Sequence, residues 1–335
     1  MCGIRCCWPL HWRWGFRLSG DLLPHGGGVE AAAAAWRCEP DTILDLSTGL
    51  HPAGPPAWLN MWLREHAALA GRYPDAHGEP ARSALADAFA VSPEQVVITA
   101  GAQAVIEVIF QAMGWRSVAI RTPCYSEPIR CAERAGCAVR SFVSGAPPAA
   151  DALWLTTPDN PTGRSDLFPP DFTGVIDESY MPFAERQRLG LQTGVIRVGS
   201  LTKSFCIPGL RLGYAIAETE LIARLRQWLP PWPASTLALH LLPALLPEAD
   251  ARDRQLVAAR RRLHVLLVRY DWQVHPSAAS FILARPNGPM PDFASRCILV
   301  RHFSEWPQLA GWIRIGLPGS ESDWSRLEEA LCPQP

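Results

Sequence analysis

The chemistry that this sequence could carry gathers around Lys203. It sits in Ser200-Leu201-Thr202-Lys203-Ser204-Phe205, among small and apolar neighbours, and Pro208-Gly209-Leu210-Arg211-Leu212-Gly213-Tyr214 follows. A lysine amine taken out of water gives up its proton more readily and condenses with an aldehyde to a Schiff base. The hydroxyls of Ser200 and Thr202 and the guanidinium of Arg211 are groups that bind phosphate beside such an amine. Ala100-Gly101-Ala102-Gln103-Ala104 adds a glycine turn between a strand and a helix, whose amino terminus offers unpaired N–H groups to an anion. Asp177 closes the apolar run Gly174-Val175-Ile176, and the carboxyl end of a buried strand is where α/β proteins place ligands. Arg314 alternates with apolar residues in Trp312-Ile313-Arg314-Ile315-Gly316. Burying it there is expensive unless it is paired, with a protein carboxylate or with an anionic ligand. Taken singly, each feature also has a plain reading: a solvated loop lysine, an ordinary turn, a strand-end acid, a structural salt bridge.

Alternating strands and helices must position these groups. Apolar, β-branched runs predict strands at 96–99, 117–120, 138–143, 153–157, 174–180, 195–199 and 211–217, with Lys203 on the turn between the last two. Helical periodicity falls between them at 79–90, 105–113 and 129–135, and after them at 220–229, 236–246 and 252–270. Ahead of them, 29–36 and 58–70 read as helical and 43–49 as a short strand running into a turn. The end of the chain reads as strands at 280–284, 297–301 and 311–316 and a helix at 322–331. One crossover departs from the pattern. A parallel connection normally carries a helix, but Arg164 to Gly174 contains Pro169-Pro170, so the helix is expected to be missing and one sheet face less covered, or covered by tryptophan-rich neighbours.

The 335 residues suffice for one large α/β domain and a smaller one, and 48% hydrophobic content supplies the core. A formal charge of −1 and a pI near 6.8 argue against nucleic-acid or membrane-surface partners. Arg254, Arg260, Arg261, Arg262 and Arg269 accordingly read as a solvated helix face. No apolar run reaches membrane-spanning length. The ten cysteines form no CxxC pair and read as reduced cytosolic thiols, which makes a cytoplasmic location the expectation. Cys2, Cys6 and Cys7 lack a second ligand pair, so no metal site is expected. Residues 1–20, rich in Cys, Trp and Arg, read as a loosely ordered extension or an early start codon.

In combination these motifs resemble the fold-type I pyridoxal-phosphate (PLP) enzymes of the class I/II aminotransferase superfamily. The carriers are SLTK with GLRLGY, the DExY of Asp177 to Tyr180, the NPTG of Asn160 to Gly163, the PxY of Pro123 to Tyr125 and the RYPD of Arg72 to Asp75. His25-Gly26-Gly27-Gly28 and Asp45-Leu46-Ser47-Thr48-Gly49 resemble the amino-terminal signature of the threonine-phosphate decarboxylases of cobalamin biosynthesis, a branch close to the histidinol-phosphate aminotransferases. The resemblance implies a mostly parallel central sheet sandwiched by helices, with a smaller α+β domain from the two chain ends. It divides the chain into the extension at 1–20, a first small-domain part at 21–70, a large PLP-binding domain at 71–230 and a carboxyl-terminal small domain at 231–335.

The resemblance also implies roles. Lys203 would carry PLP, Asp177 would keep its ring nitrogen protonated, and Asn160 and Tyr180 would face its phenolic oxygen. Tyr125 would stack on the ring. Gly101, Ala102, Gln103, Ser200, Thr202 and Arg211 would hold the phosphate, joined by Tyr73 from the other subunit of a homodimer. Arg314 would grip the substrate carboxylate, and His25 and Arg301 the substrate phosphate. The activity implied is decarboxylation of L-threonine O-3-phosphate to (R)-1-amino-2-propanol O-2-phosphate. The alternatives are a histidinol-phosphate type of aminotransferase and, against intact Lys203 and Asp177, a non-catalytic binding protein. Two departures stand out: Gly49 and His51 where many relatives carry asparagines, and no acidic residue early in the helix after Gly101.

Overall fold

A computed structural model describes residues 26–165 and 171–332. In chain order, β1 (Leu44–Asp45) precedes seven strands of one sheet: β2 (Val96–Thr99), β3 (Ser117–Arg121), β4 (Ala138–Phe142), β5 (Ala152–Thr156), β6 (Gly174–Asp177), β7 (Val195–Ser200) and β8 (Gly213–Ile216). Their order is β2-β8-β7-β6-β5-β3-β4. Every pairing is parallel except those of β8, which runs against both β2 and β7. The mostly parallel α/β sheet expected from the sequence is therefore present, and it is mixed at one edge.

The period-2 alternation of the strands feeds two cores. Val97, Val198 and Ala215 face the helices Ala102–Met113 and Thr219–Arg226, where Val105, Ile109, Phe110, Ile222 and Leu225 are buried. Val96, Ile98, Tyr214 and Ile216 face Ala81–Phe89 and Thr236–Leu245, packing with Leu85, Phe89, Leu239 and Leu242. Covering on both faces explains why β2, β6, β7 and β8 are buried along their whole length.

Beyond the sheet lie β9 (Trp272–Val274), β10 (Phe281–Pro286), β11 (Ile298–Leu299), β12 (Arg301–His302) and β13 (Ile313–Gly316). β12-β13-β10-β9 form an antiparallel sheet, while β11 pairs in parallel with β1 from the amino-terminal arm. The single strand predicted over 297–301 is thus two, serving different sheets on either side of Val300. β9 was not predicted; its three residues are too few to show a period. The long helix Ala249–Arg269 and the last helix Glu321–Leu331 cover this region through Leu263, Leu267, Trp324 and Leu327. Three of the helix arginines have intramolecular partners: Arg262 donates twice to Glu321, at 2.5 and 2.7 Å, Arg269 donates to Glu328 at 3.1 Å, and Arg260 to the Ala278 carbonyl at 2.8 Å; Arg254 and Arg261 are exposed.

The other predicted elements survive with shifted ends. The span 58–70 is a helix at Leu59–Glu65 followed by a 3₁₀ turn at Ala67–Gly71. In the β5–β6 crossover the described residues contain no helix, in line with the prolines; residues 166–170 lie outside the described residues. No helix among the described residues is long and apolar enough to cross a membrane.

Candidate active site

β7 hands the chain directly into a short helix, Leu201–Phe205, so Lys203 stands on a helix and not on the predicted turn. Two backbone bonds fix that helix: Leu201 N–H to the Leu212 carbonyl at 3.0 Å, and His51 N–H to the Lys203 carbonyl at 3.0 Å. The Lys203 ammonium lies 5.4 Å from the Tyr180 ring centroid, at a cavity of about 310 Å³.

One wall of the cavity is an anion cradle. The helix after β2 begins at Ala102, three residues earlier than predicted, so Ala102 and Gln103 belong to its first turn. Gly101 takes φ of +80°, and a Cβ there would come within 2.7 Å of the Arg211 guanidinium, which lies across the turn. Ser200, Thr202 and Arg211 complete the wall. The Gln103 side chain turns away from it. Its amide oxygen accepts from the Tyr125 hydroxyl at 3.2 Å and its amide nitrogen donates to Glu107 at 2.8 Å. Tyr125 lines the cavity, and burial pushes its phenol well above the ordinary range.

Asp177 ends β6 on the floor. Its carboxylate accepts the Ser179 N–H at 3.0 Å. Burial raises its pKa; the Ser179 hydrogen bonds and the charge of Lys203 oppose that rise. It is a carboxylate that would be stabilised by a further cation. Tyr180 follows, its ring edge-on to Phe281 and its hydroxyl 3.4 Å from the Thr48 carbonyl.

Asn160 and Arg314 meet across 154 residues. Arg314 donates to Asn160 Oδ1 at 2.6 Å and also to the Ser47 carbonyl, and its guanidinium covers the Phe281 ring. Because arginine only donates, this contact turns the Asn160 oxygen to Arg314 and leaves its NH₂ as the free donor. Arg314 is buried, has no carboxylate partner among the described residues, and its Nε has no hydrogen bond. Arg301 stands directly opposite Arg314 in the β12–β13 register and lines the same cavity, ion-paired with Glu305.

Several functional neighbours were not legible in the sequence. Glu178, beside Asp177, is fully buried in a bidentate pair with Arg197 at 3.0 and 3.1 Å, and accepts the Tyr214 hydroxyl at 2.5 Å. Gly199 makes room for that tyrosine: a Cβ there would lie 2.2 Å from the ring. Arg186, also fully buried, ties the Asp177–Tyr180 turn to the Lys203 helix. Glu305, four residues after Arg301, was readable only as a loop acid.

One predicted residue is not brought to this cavity by its own chain, and another is not among the described residues. Tyr73 is 80% exposed and packs on Trp232 at 4.5 Å. His25 lies outside the described residues. His51, expected near the substrate, is instead buried structure: its Nε2 meets the Arg252 carbonyl at 2.8 Å and its Nδ1 accepts the Ala53 N–H at 3.2 Å.

A mixed, mostly parallel sheet that presents a lysine, an anion cradle and a buried carboxylate at its strand ends has the layout of the fold-type I PLP-dependent enzymes. The chain belongs to the aminotransferase class I and II family, whose profile matches residues 42–331. It is 30% identical to a threonine-phosphate decarboxylase of Pseudomonas aeruginosa, over 92% of this chain and 97% of that one. It is also 30% identical to a histidinol-phosphate aminotransferase of Citrifermentans bemidjiense, over 87% of this chain and 91% of that one. Among solved structures, the histidinol-phosphate aminotransferase of Sinorhizobium meliloti, in complex with pyridoxal 5'-phosphate, superposes with a TM-score of 0.77. Identity there is 19%, over 92% of this chain and 94% of that one. The cofactor is PLP. The donor set fits it: an amine, a buried carboxylate with no ion-pair partner among the described residues, and a cradle whose turn holds Gly101 at positive φ.

Proposed function

We propose that this chain is a threonine-phosphate decarboxylase, converting L-threonine O-3-phosphate to CO₂ and (R)-1-amino-2-propanol O-2-phosphate for cobalamin biosynthesis. The observation that carries the reading is the pair Arg301 and Arg314, opposed on β12 and β13 and lining one cavity. The proposed substrate has two anions to match them, a carboxylate and a phosphate.

Bound PLP supplies an electron sink for the Cα bond that stands perpendicular to its ring. Lys203 would hold the cofactor, and its Nζ would be the group placed to return a proton to Cα. Asp177 keeps the ring nitrogen protonated, and the Asn160 NH₂ and Tyr180 hydroxyl address the phenolic oxygen. Tyr125 lies against the ring. Gly101, Ala102, Gln103 (by its backbone), Ser200, Thr202 and Arg211 take the cofactor phosphate, and Tyr73 of a second subunit completes that cup in a homodimer. Arg314 would bind and orient the substrate carboxylate, and that orientation would decide whether the carboxylate or the hydrogen is lost from Cα. Arg301 and His25 fix the substrate phosphate.

The second reading, a histidinol-phosphate type of aminotransferase, has an equally similar relative behind it. Histidinol phosphate carries a phosphate but no carboxylate, and so offers one anion where L-threonine O-3-phosphate offers two. The test is incubation of PLP-loaded protein with L-threonine O-3-phosphate and no keto acid, following CO₂ and the amino alcohol phosphate. Steady release of both is expected. No CO₂, together with amino transfer from histidinol phosphate to 2-oxoglutarate, would move the protein to the second reading.

A further inference from the structure

We propose that Glu305 is a specificity-determining residue: its carboxylate occupies Arg301 in the free enzyme, and the second anion of the substrate must displace it. This rests on the reading of Arg301 as the phosphate-binding arginine.

Three observations place it there. Arg301 and Arg314 are directly opposed in the antiparallel register of β12 and β13, so two guanidinium groups share one face of the sheet, an unfavourable juxtaposition on its own. Among the described residues Arg314 hydrogen-bonds only neutral partners, Asn160 and the Ser47 carbonyl. Glu305 brings a negative charge to the pair: it binds Arg301 and lines the same cavity. The Arg301 side chain is 11% exposed and the Glu305 side chain 33%. The acid is thus the more accessible of the two. Glu305 sits in the loop after β12, whose turn is closed by the Trp306 N–H on the Phe303 carbonyl at 3.2 Å, while the Arg301 guanidinium packs over the Phe303 ring at 5.0 Å. Arg301 is fixed by strand and ring, and Glu305 is the partner that can leave.

The consequence concerns selection between substrates. A neutral side-chain group cannot replace the Glu305 carboxylate on Arg301, and an unphosphorylated amino acid leaves the ion pair closed. A phosphate dianion competes for the guanidinium with more charge and more acceptor oxygens, but must do so against the carboxylate already there. Glu305 therefore lowers the affinity for every phosphorylated ligand and leaves that for unphosphorylated ones, which have no group to place on Arg301, unchanged.

The test is equilibrium binding to PLP-loaded wild type and Glu305→Gln, using inorganic phosphate, L-threonine O-3-phosphate and L-threonine. Glu305→Gln is expected to bind both phosphates about tenfold more tightly, equivalent to about 1.4 kcal/mol, with L-threonine changed less than twofold. Arg301→Gln serves as the control and should remove the preference for phosphorylated ligands from either background. Thermal unfolding and the cofactor absorbance report whether Glu305→Gln has kept its fold. Glu305→Ala is the second variant and should behave as Glu305→Gln does. Unchanged or weakened phosphate binding in both variants would overturn the proposal, since Glu305 would then be irrelevant to Arg301 or needed to hold it. Tightened phosphate binding by a protein that releases no CO₂ would sustain the role of Glu305 and overturn only the decarboxylase reading.

Discussion

Replacing Arg186 by Met should loosen the lysine helix without touching the cavity wall. Arg186 donates to four acceptors: the carbonyls of Met181 at 2.7 Å, Ser200 at 3.1 Å and Ser179 at 3.2 Å, and the Ser204 hydroxyl at 3.0 Å. Two of these belong to the turn that follows Asp177, and two to the cap and body of the Lys203 helix. The side chain is fully buried, so no water replaces the lost donors. Each buried carbonyl left without a donor costs about 1 kcal/mol or more, and three give about 3 kcal/mol. Removing a desolvated cation offsets part of this, leaving a net loss of about 2 kcal/mol. For a chain of 335 residues that is a fall of about 3 °C in the unfolding temperature. The cofactor dissociation constant should rise about tenfold, because the amine and the ring-nitrogen carboxylate no longer share one rigid support. Lysine at the same position should fail as well, since one nitrogen cannot reach acceptors on two sides. Calorimetry of the apo protein and equilibrium titration with PLP check both numbers. A Met variant that unfolds at the wild-type temperature and binds PLP as tightly would refute the claim that Arg186 couples the two segments.

Three further outcomes follow from particular groups. Burial raises the pKa of Asp177 in the apo chain, so its folded-state pKa lies above the unfolded one and its contribution to stability is lost as pH rises through the folded value. Asp177→Asn apo protein should therefore resist urea better than wild type at neutral pH, with the difference vanishing in acid, yet bind PLP more weakly; an apo variant less stable at neutral pH would contradict this. His51 behaves in the opposite sense. Burial lowers its pKa from 6.5 to about 4, so its contribution is complete above pH 6.5 and is lost as pH falls towards 4. His51→Gln should flatten that acid limb in a stability–pH profile, and an unchanged limb would assign it elsewhere. Mixing inactive Tyr73→Ala and Lys203→Ala proteins should restore roughly a quarter of wild-type activity if the tyrosine serves the partner's site in a homodimer. No recovery after subunit exchange, with mixed dimers demonstrated, would exclude sharing.

Much of the site was legible because its residues belong to short local patterns. Ser200, Thr202, Lys203 and Arg211 fall within a dozen positions, and Gly101 to Gln103 and Asp177 to Tyr180 are contiguous. Strand periods placed these groups at the ends of β2, β6 and β7, where the sheet brings them to one cavity. Helix starts were less readable. Ala102 opens its helix three residues early because small residues at a first turn carry no period of their own. The run 297–301 was misread as one strand because its apolar residues do not reveal that neighbouring positions pair in different sheets.

By itself, the sequence determined the alternation of strands and helices, the lysine with its hydroxyl and arginine neighbours, and the acid at the end of β6. These depend on spacing along the chain, which side-chain periodicity records directly. Tertiary structure alone decided that Arg314 turns the Asn160 amide, that Arg186 joins two segments behind the lysine, that Gly199 exists to admit Tyr214, and that Glu305 holds Arg301. Such contacts depend on which face a side chain takes and what packs opposite it. A lone Arg, Gly or Glu in a sequence carries no mark of a partner that only folding brings within 3 Å.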